Sequence, residues 1–143
     1  GSWRAMEELY NEGKIKALGV SNFYPKHFKE AFQKVNVYPM VNQIRLNPQE
    51  ILQDTIQYNQ EHHIITEAYS PFGRGRSFKV PLYQELANKY QKSISQILLS
   101  WSLHHNFLPL PKAMHIEHMK ENLNVFDFEL EKIDIEKLDA LAK

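Results

Sequence analysis

Apolar positions along this chain alternate between two periods. Trp3, Met6, Leu9 and Tyr10 lie three to four residues apart, the spacing of one helix face, and Gly13 follows where a helix C′ residue belongs. Ile15 to Val20 is short and largely apolar and reads as a strand. Pro25 opens a second helix with Phe28, Ala31 and Phe32 on one face. Met40 to Ile44 reads as the second strand. Asn47-Pro48 has the pattern of an N-cap with proline at N1, predicting a helix that uses Ile51, Leu52, Thr55 and Ile56 and runs towards His62. Ile64 to Tyr69 is the third strand. Ser70 to Lys79 holds Pro71, Gly73 and Gly75 and reads as a loop. Pro81, Leu82, Leu86 and Tyr90 suit a short helix, and Ser93 caps another whose apolar face is Ile94, Ile97, Leu98 and Trp101. Phe107 to Pro111 is a fourth strand-like stretch, ending at Lys112, and helices are predicted over Ile116 to Leu123 and Asp134 to Ala142.

The order is α-β-α-β-α-β-α-α-β-α-α. Strands alternating with helices of these lengths imply βαβ units and a parallel sheet. The first three strands begin about 25 residues apart, which suits barrel units better than a doubly wound sheet. Neither a Gly-x-Gly-x-x-Gly turn after a strand nor a Walker-type loop occurs.

Composition narrows the function classes. The 143 residues make one domain's worth, and 17 Lys and Arg balance 17 Asp and Glu, which argues against a nucleic-acid partner. The absence of Cys excludes a disulfide framework, a thiolate metal site and a Cys nucleophile. No apolar run of membrane-spanning length occurs, and no signal-peptide core opens the chain, so the expectation is a cytoplasmic protein without a membrane partner. Gly1-Ser2 reads as the scar of tag cleavage, leaving residues 3–143 as the domain. His115 and His118 are one helical turn apart, yet no third ligand accompanies them, so no metal is expected. His62-His63 and His104-His105 read as helix C-terminal residues, and the acidic residues from Asp127 to Glu136 as a solvated helix start.

Four stretches are specific in combination. They are Gly19-Val20-Ser21-Asn22-Phe23, Val41-Asn42-Gln43-Ile44, Glu67-Ala68-Tyr69-Ser70-Pro71-Phe72-Gly73-Arg74-Gly75, and Pro109-Leu110-Pro111-Lys112 followed by Glu121-Asn122 and Phe126-Asp127-Phe128. In this order the chain, from about Trp3 to Lys143, resembles the C-terminal half of an aldo/keto reductase, of the 2,5-diketo-gluconate reductase-like kind. The resemblance implies an α/β fold: strands five to eight, with their helices, of a (β/α)8 TIM barrel. A complete barrel needs about 250 residues, so about half is absent. It also implies reduction of aldehydes, ketones or sugar carbonyls with NADPH. The family's catalytic Asp, Tyr, Lys and His belong to earlier strands, and its members continue past the last helix with a substrate-covering tail. No catalytic residue is therefore assigned here.

What the resemblance leaves is a cofactor site. Ser21, Asn22 and Gln43 would hydrogen-bond the nicotinamide carboxamide, and Tyr69 would stack on the ring. Ser70, Phe72 and Arg74 match loop positions over the pyrophosphate, Lys112 the reader of the 2′-phosphate, and His118, Glu121 and Asn122 positions around the adenosine. Asn and Gln suit the first role because an amide needs both donors and acceptors. Two departures bear on NADP against NAD: Ala113 stands where Ser or Thr often binds the 2′-phosphate, and His118 where Arg commonly lies. Without the flanking motifs, Ser21-Asn22 also reads as a strand end with a helix cap, Tyr69 as packing, Arg74 and Arg76 as loop charges and Lys112 as a surface cation.

Half a barrel exposes two sheet edges and an apolar inner face. The expected partner is therefore a second copy, in a homodimer or higher oligomer, or the missing N-terminal half. The alternative to the reductase reading is a non-catalytic half-barrel that serves as an assembly unit and binds nucleotide weakly or not at all.

Overall fold

A computed structural model describes residues 1–73 and 77–142, with the side chain of Ser77 excepted. The elements are α1 (Ser2–Asn11), β1 (Gly19–Ser21), α2 (Pro25–Ala31), β2 (Val41–Arg45), α3 (Gln53–Glu61), β3 (Ile65–Tyr69), a 3₁₀ turn (Ser77–Lys79), α4 (Pro81–Tyr90), α5 (Ile94–His104), β4 (Leu108–Leu110), α6 (Ile116–Leu123) and α7 (Lys132–Asp139). Helices and strands alternate as the periodicity predicts. The strands form one parallel sheet in the order β1-β2-β3-β4. Spatial order equal to chain order is the winding of a barrel. A doubly wound sheet reverses direction at its middle.

The chain divides into two compact units, Gly1–Ile44 with Leu52–Glu67, and Arg45–Ile51 with Ala68–Lys143. In the first unit, Phe28, Phe32 and Ile64 form a core packed by Trp3, Val20, Phe23, Val35, Tyr38 and Tyr58. The Phe28 and Tyr58 rings stack 5.1 Å apart. Glu7 is buried yet satisfied, since its Oε1 accepts from the backbone N–H of Asn36 and of Val37, both at 2.7 Å. Gly13 ends the α1 region at φ +73°, the left-handed C′ position where glycine avoids a Cβ penalty. Gly19 sits at a close approach of two strands. A Cβ there would sit 3.0 Å from the Val41 carbonyl oxygen of the paired strand.

In the second unit the core is Tyr83 and Leu86 of α4, Ile97, Leu98 and Trp101 of α5, and Leu138 of α7, all fully buried. Ser93 caps α5 as predicted. Its Oγ accepts from Gln96 N–H at 3.2 Å, and its own N–H donates to Gln96 Oε1 at 3.0 Å, a reciprocal capping box. Tyr83 brings its hydroxyl inside without a partner among the described residues, and burial pushes that phenol up to about 12.

Several boundaries differ from expectation. Ile15 to Leu18 precedes β1, and only Gly19–Ser21 pairs with β2. Asn47 does not cap a helix. Its Oδ1 accepts from Gln49 N–H at 3.1 Å and its Nδ2 donates to Glu50 Oε2 at 2.7 Å, closing a tight turn, and α3 begins at Gln53 without a side-chain cap. Asx chemistry serves turns and helix caps equally, so the dipeptide alone does not choose. Ala31 is exposed rather than on the buried face of α2, and Ser2 already belongs to α1. The acidic helix start is not uniformly solvated: Asp134 in the first turn of α7 is fully buried. His62 and His105 do follow their helices as C-cap residues, with His104 ending α5.

Candidate functional site

The β1–β2 ladder sets Ser21 opposite Gln43 and Val20 opposite Asn42. Period-two alternation divides these residues between faces: Asn42 and Ile44 are fully buried, while Val41 and Gln43 are only partly covered. The predicted trio is thereby assembled. Ser21 Oγ donates to the Gln43 carbonyl at 3.1 Å, Asn22 N–H donates to the same oxygen at 2.9 Å, and Asn22 Nδ2 donates to Ser21 Oγ at 3.4 Å. Asn22 sits at φ +58°, a conformation Asn tolerates better than most side chains. Gln43 Nε2 donates to Glu67 Oε2 at 3.0 Å.

Beneath this edge lies a neutral network that the sequence reading missed. Asn42 Nδ2 donates to the Phe23 carbonyl at 2.8 Å and to Asn59 Oδ1 at 3.3 Å, and Asn42 Oδ1 accepts from Phe23 N–H at 3.4 Å. Asn59 Nδ2 donates onward to Thr66 Oγ1 at 2.9 Å. Asn42, Asn59 and Thr66 are all buried. One side chain thus pairs both backbone groups of the residue after Asn22, which holds the strand end in its left-handed turn. The available signal was polar residues on the buried alternation of β2 and β3: Asn42 beside Ile44, Thr66 beside Ala68. Their pairing through Asn59 depends on α3 packing onto the strands. An open cavity of about 410 Å³ adjoins Asn22, lined also by Phe23, His27, Glu30 and Ala31. Ser21 and Gln43 do not line it.

In the second unit, Tyr69 ends β3, and its carbonyl accepts from Leu46 N–H at 3.3 Å. Ser70 follows at φ +51°, and Gly73 N–H returns to the Ser70 carbonyl at 2.9 Å, so Ser70 and Phe72 share one tight turn directly after Tyr69. The Phe72 and Phe78 rings approach to 6.3 Å. Arg74 lies outside the described residues. Lys112 is exposed two residues beyond β4. His118, Glu121 and Asn122 share α6, with His118 exposed and its ring 5.9 Å from that of His115. Glu121 already has a structural role. Its Oε1 accepts from Ser93 Oγ at 2.5 Å, and its carbonyl accepts from Gln96 Nε2 at 3.2 Å, tying α6 to α5. No group of three or more metal-ligating side chains occurs among the described residues. None of the helices among these residues is long and apolar enough to cross a membrane.

A second cavity, of about 350 Å³, lies between the end of α5 and residues 125–130, and contains none of the predicted cofactor residues. The electrostatic centre of this unit lies elsewhere. Asp134 Oδ2 accepts from Lys89 Nζ at 2.7 Å and from Tyr90 Oη at 2.6 Å, and Lys137 lies 3.3 Å from Oδ1. Burial by itself would raise this carboxyl, but the three hydrogen bonds outweigh it and hold the group below its ordinary value. Tyr90 is raised, by burial first and by its bond to Asp134 second.

Comparison with known proteins agrees with the motifs. An uncharacterised oxidoreductase of Bacillus subtilis, YtbE, is 41% identical over 140 residues, which cover 98% of this chain and 50% of that protein. Glyoxal reductase of the same organism is 38% identical over 142 residues, covering 99% of this chain and 51% of that protein. The crystal structure of a Gox0644 mutant in complex with NADPH superposes with a TM-score of 0.95 at 30% identity, covering 99% of this chain and 52% of the other. The chain thus spans about half the length of the relatives it matches, and its four strands are half of a (β/α)8 barrel. The family model for aldo/keto reductases matches residues 2–143, and the chain belongs to that family.

Proposed function

We propose that this chain is the cofactor-binding, C-terminal half of an NADPH-dependent oxidoreductase that reduces small aldehydes, ketones or sugar carbonyls. The observation that carries the reading is the joined edge Ser21–Asn22–Gln43. The Ser21 hydroxyl and the Asn22 backbone N–H meet on the Gln43 carbonyl, and the Asn22 side-chain amide bonds the same hydroxyl, in a family with a member crystallised with NADPH. In this reading Ser21, Asn22 and Gln43 bind the carboxamide and Tyr69 stacks on the nicotinamide. Ser70, Phe72 and Arg74 cover the pyrophosphate, Lys112 meets the 2′-phosphate, and His118, Glu121 and Asn122 border the adenosine. The cofactor supplies hydride; the chain's own residues bind and orient it, and none of them is assigned a proton-transfer role.

Titration of the purified chain with NADPH, followed by nucleotide fluorescence and with NADH as control, tests this. Saturable binding, tighter for NADPH and weakened by Lys112→Ala, is the expected outcome; equal or absent binding overturns it. The 143-residue chain alone is expected to give no carbonyl reduction, and measurable turnover would contradict the division of labour. A second reading is a homodimeric or higher assembly unit, or a partner of the complementary half-barrel. What favours it is the exposed stripe Ile116, Met119 and Leu123 on α6, where no residue is buried. A native mass of one chain with a sharp unfolding transition would exclude it.

A further inference from the structure

Gln43 and Glu67 come from neighbouring strands and meet side by side, with Gln43 Nε2 donating to Glu67 Oε2 at 3.0 Å. A side-chain amide is a donor at one end and an acceptor at the other, and its two ends have the same outline. Its neighbours therefore decide which end faces a ligand. A carboxylate only accepts, so the end turned to Glu67 is the amide nitrogen. Gln43 Oε1 has no partner among the described residues. The Ser21 hydroxyl donates its one proton to the Gln43 carbonyl at 3.1 Å, so while that bond holds it meets a ligand as an acceptor.

We infer that Glu67 is a positioning residue that orients the Gln43 amide, so that a bound nicotinamide meets acceptors at Gln43 Oε1 and Ser21 Oγ and is recognised through the N–H groups of its carboxamide. This rests on the carboxamide role proposed above for Ser21, Asn22 and Gln43. Its consequence is selectivity. A ring bearing a carbonyl without an N–H leaves both acceptors unmatched, and an unmatched polar group is penalised more than a matched one is rewarded.

The test compares NADP⁺ with its 3-acetylpyridine analogue, which keeps the carbonyl and lacks the amide nitrogen. Wild type, Glu67→Gln and Glu67→Ala are titrated calorimetrically. In parallel, ¹⁵N spectra follow the Gln43 side-chain NH₂, assigned through Gln43→Leu. Wild type is expected to prefer NADP⁺ by at least about fivefold, the effect of one lost hydrogen bond. In Glu67→Gln, whose side chain can both donate and accept, the preference is expected to fall within about twofold, and the Gln43 NH₂ resonances to move, with the melting curve retained. An unchanged preference in Glu67→Gln, or Gln43 resonances indifferent to Glu67→Ala, overturns the inference while leaving the carboxamide reading intact. Failure of wild type to bind either nucleotide removes that reading itself, and the selectivity with it.

Discussion

Two buried polar networks organise this molecule, one in each unit, and they use opposite chemistry. The network under the Ser21–Asn22–Gln43 edge is made of Asn42, Asn59 and Thr66, none of which ionises at ordinary pH. The network that seats α7 is charged: a fully buried Asp134 held by Lys89, Tyr90 and Lys137, with Tyr90 Oη also accepting from Glu131 N–H at 2.8 Å. Amides give direction without charge, so they fix backbone geometry to the same degree across the pH range. An ion cluster ties distant segments together more strongly, but only while its carboxylate stays ionised. The neutral network lies under the edge proposed for the cofactor, and the titrating one where α7 is anchored.

The largest expected effect comes from breaking the charged network. Asp134→Ala leaves the Tyr90 hydroxyl without its acceptor and should lower stability by about 3 kcal/mol, read by denaturant unfolding. The pH dependence sharpens the contrast. The folded-state Asp134 carboxyl lies below its ordinary value of 3.8, so its stabilisation is complete above about pH 4 and is lost as the pH falls through the lower folded-state value. Asp134→Asn should flatten that acid limb, whereas variants of the amide network should leave its shape unchanged. Asn42→Ala comes next, at about 2 kcal/mol, because it strips both backbone partners from Phe23 and one from Asn59. It should also speed hydrogen exchange at the Phe23 amide, a local readout absent from Asp134 variants. Thr66→Val removes only the far acceptor and should cost about 1 kcal/mol. Ser93→Ala, outside both networks, should cost a similar or smaller amount, about 1 kcal/mol, through its helix cap and its bond to Glu121. An Asn42→Ala variant more acid-sensitive than wild type would dissolve the distinction between the two networks.

The sequence by itself determined the alternation of elements, the Ser93 cap, the Gly13 helix end and the motifs that carry the family. Each of these rests on periodicity or on chemistry between residues a few positions apart. Only the tertiary structure decided the rest. Asn47 closes a turn with Glu50 instead of starting a helix, because nearby partners compete for the same side chain. Asp134 looked like one more solvated acid until α4 brought Lys89 and Tyr90 to it from more than 40 positions away. Glu121 also carries a structural bond to Ser93. Asn42 pairs with Asn59 and Phe23, and Gln43 with Glu67, across 17 to 24 residues. The physical reason is common to all of them. A hydrogen-bonding group declares what it can donate or accept in the sequence, but its partner is chosen by the packing of helices and strands, which places distant chain segments within 3 Å of one another.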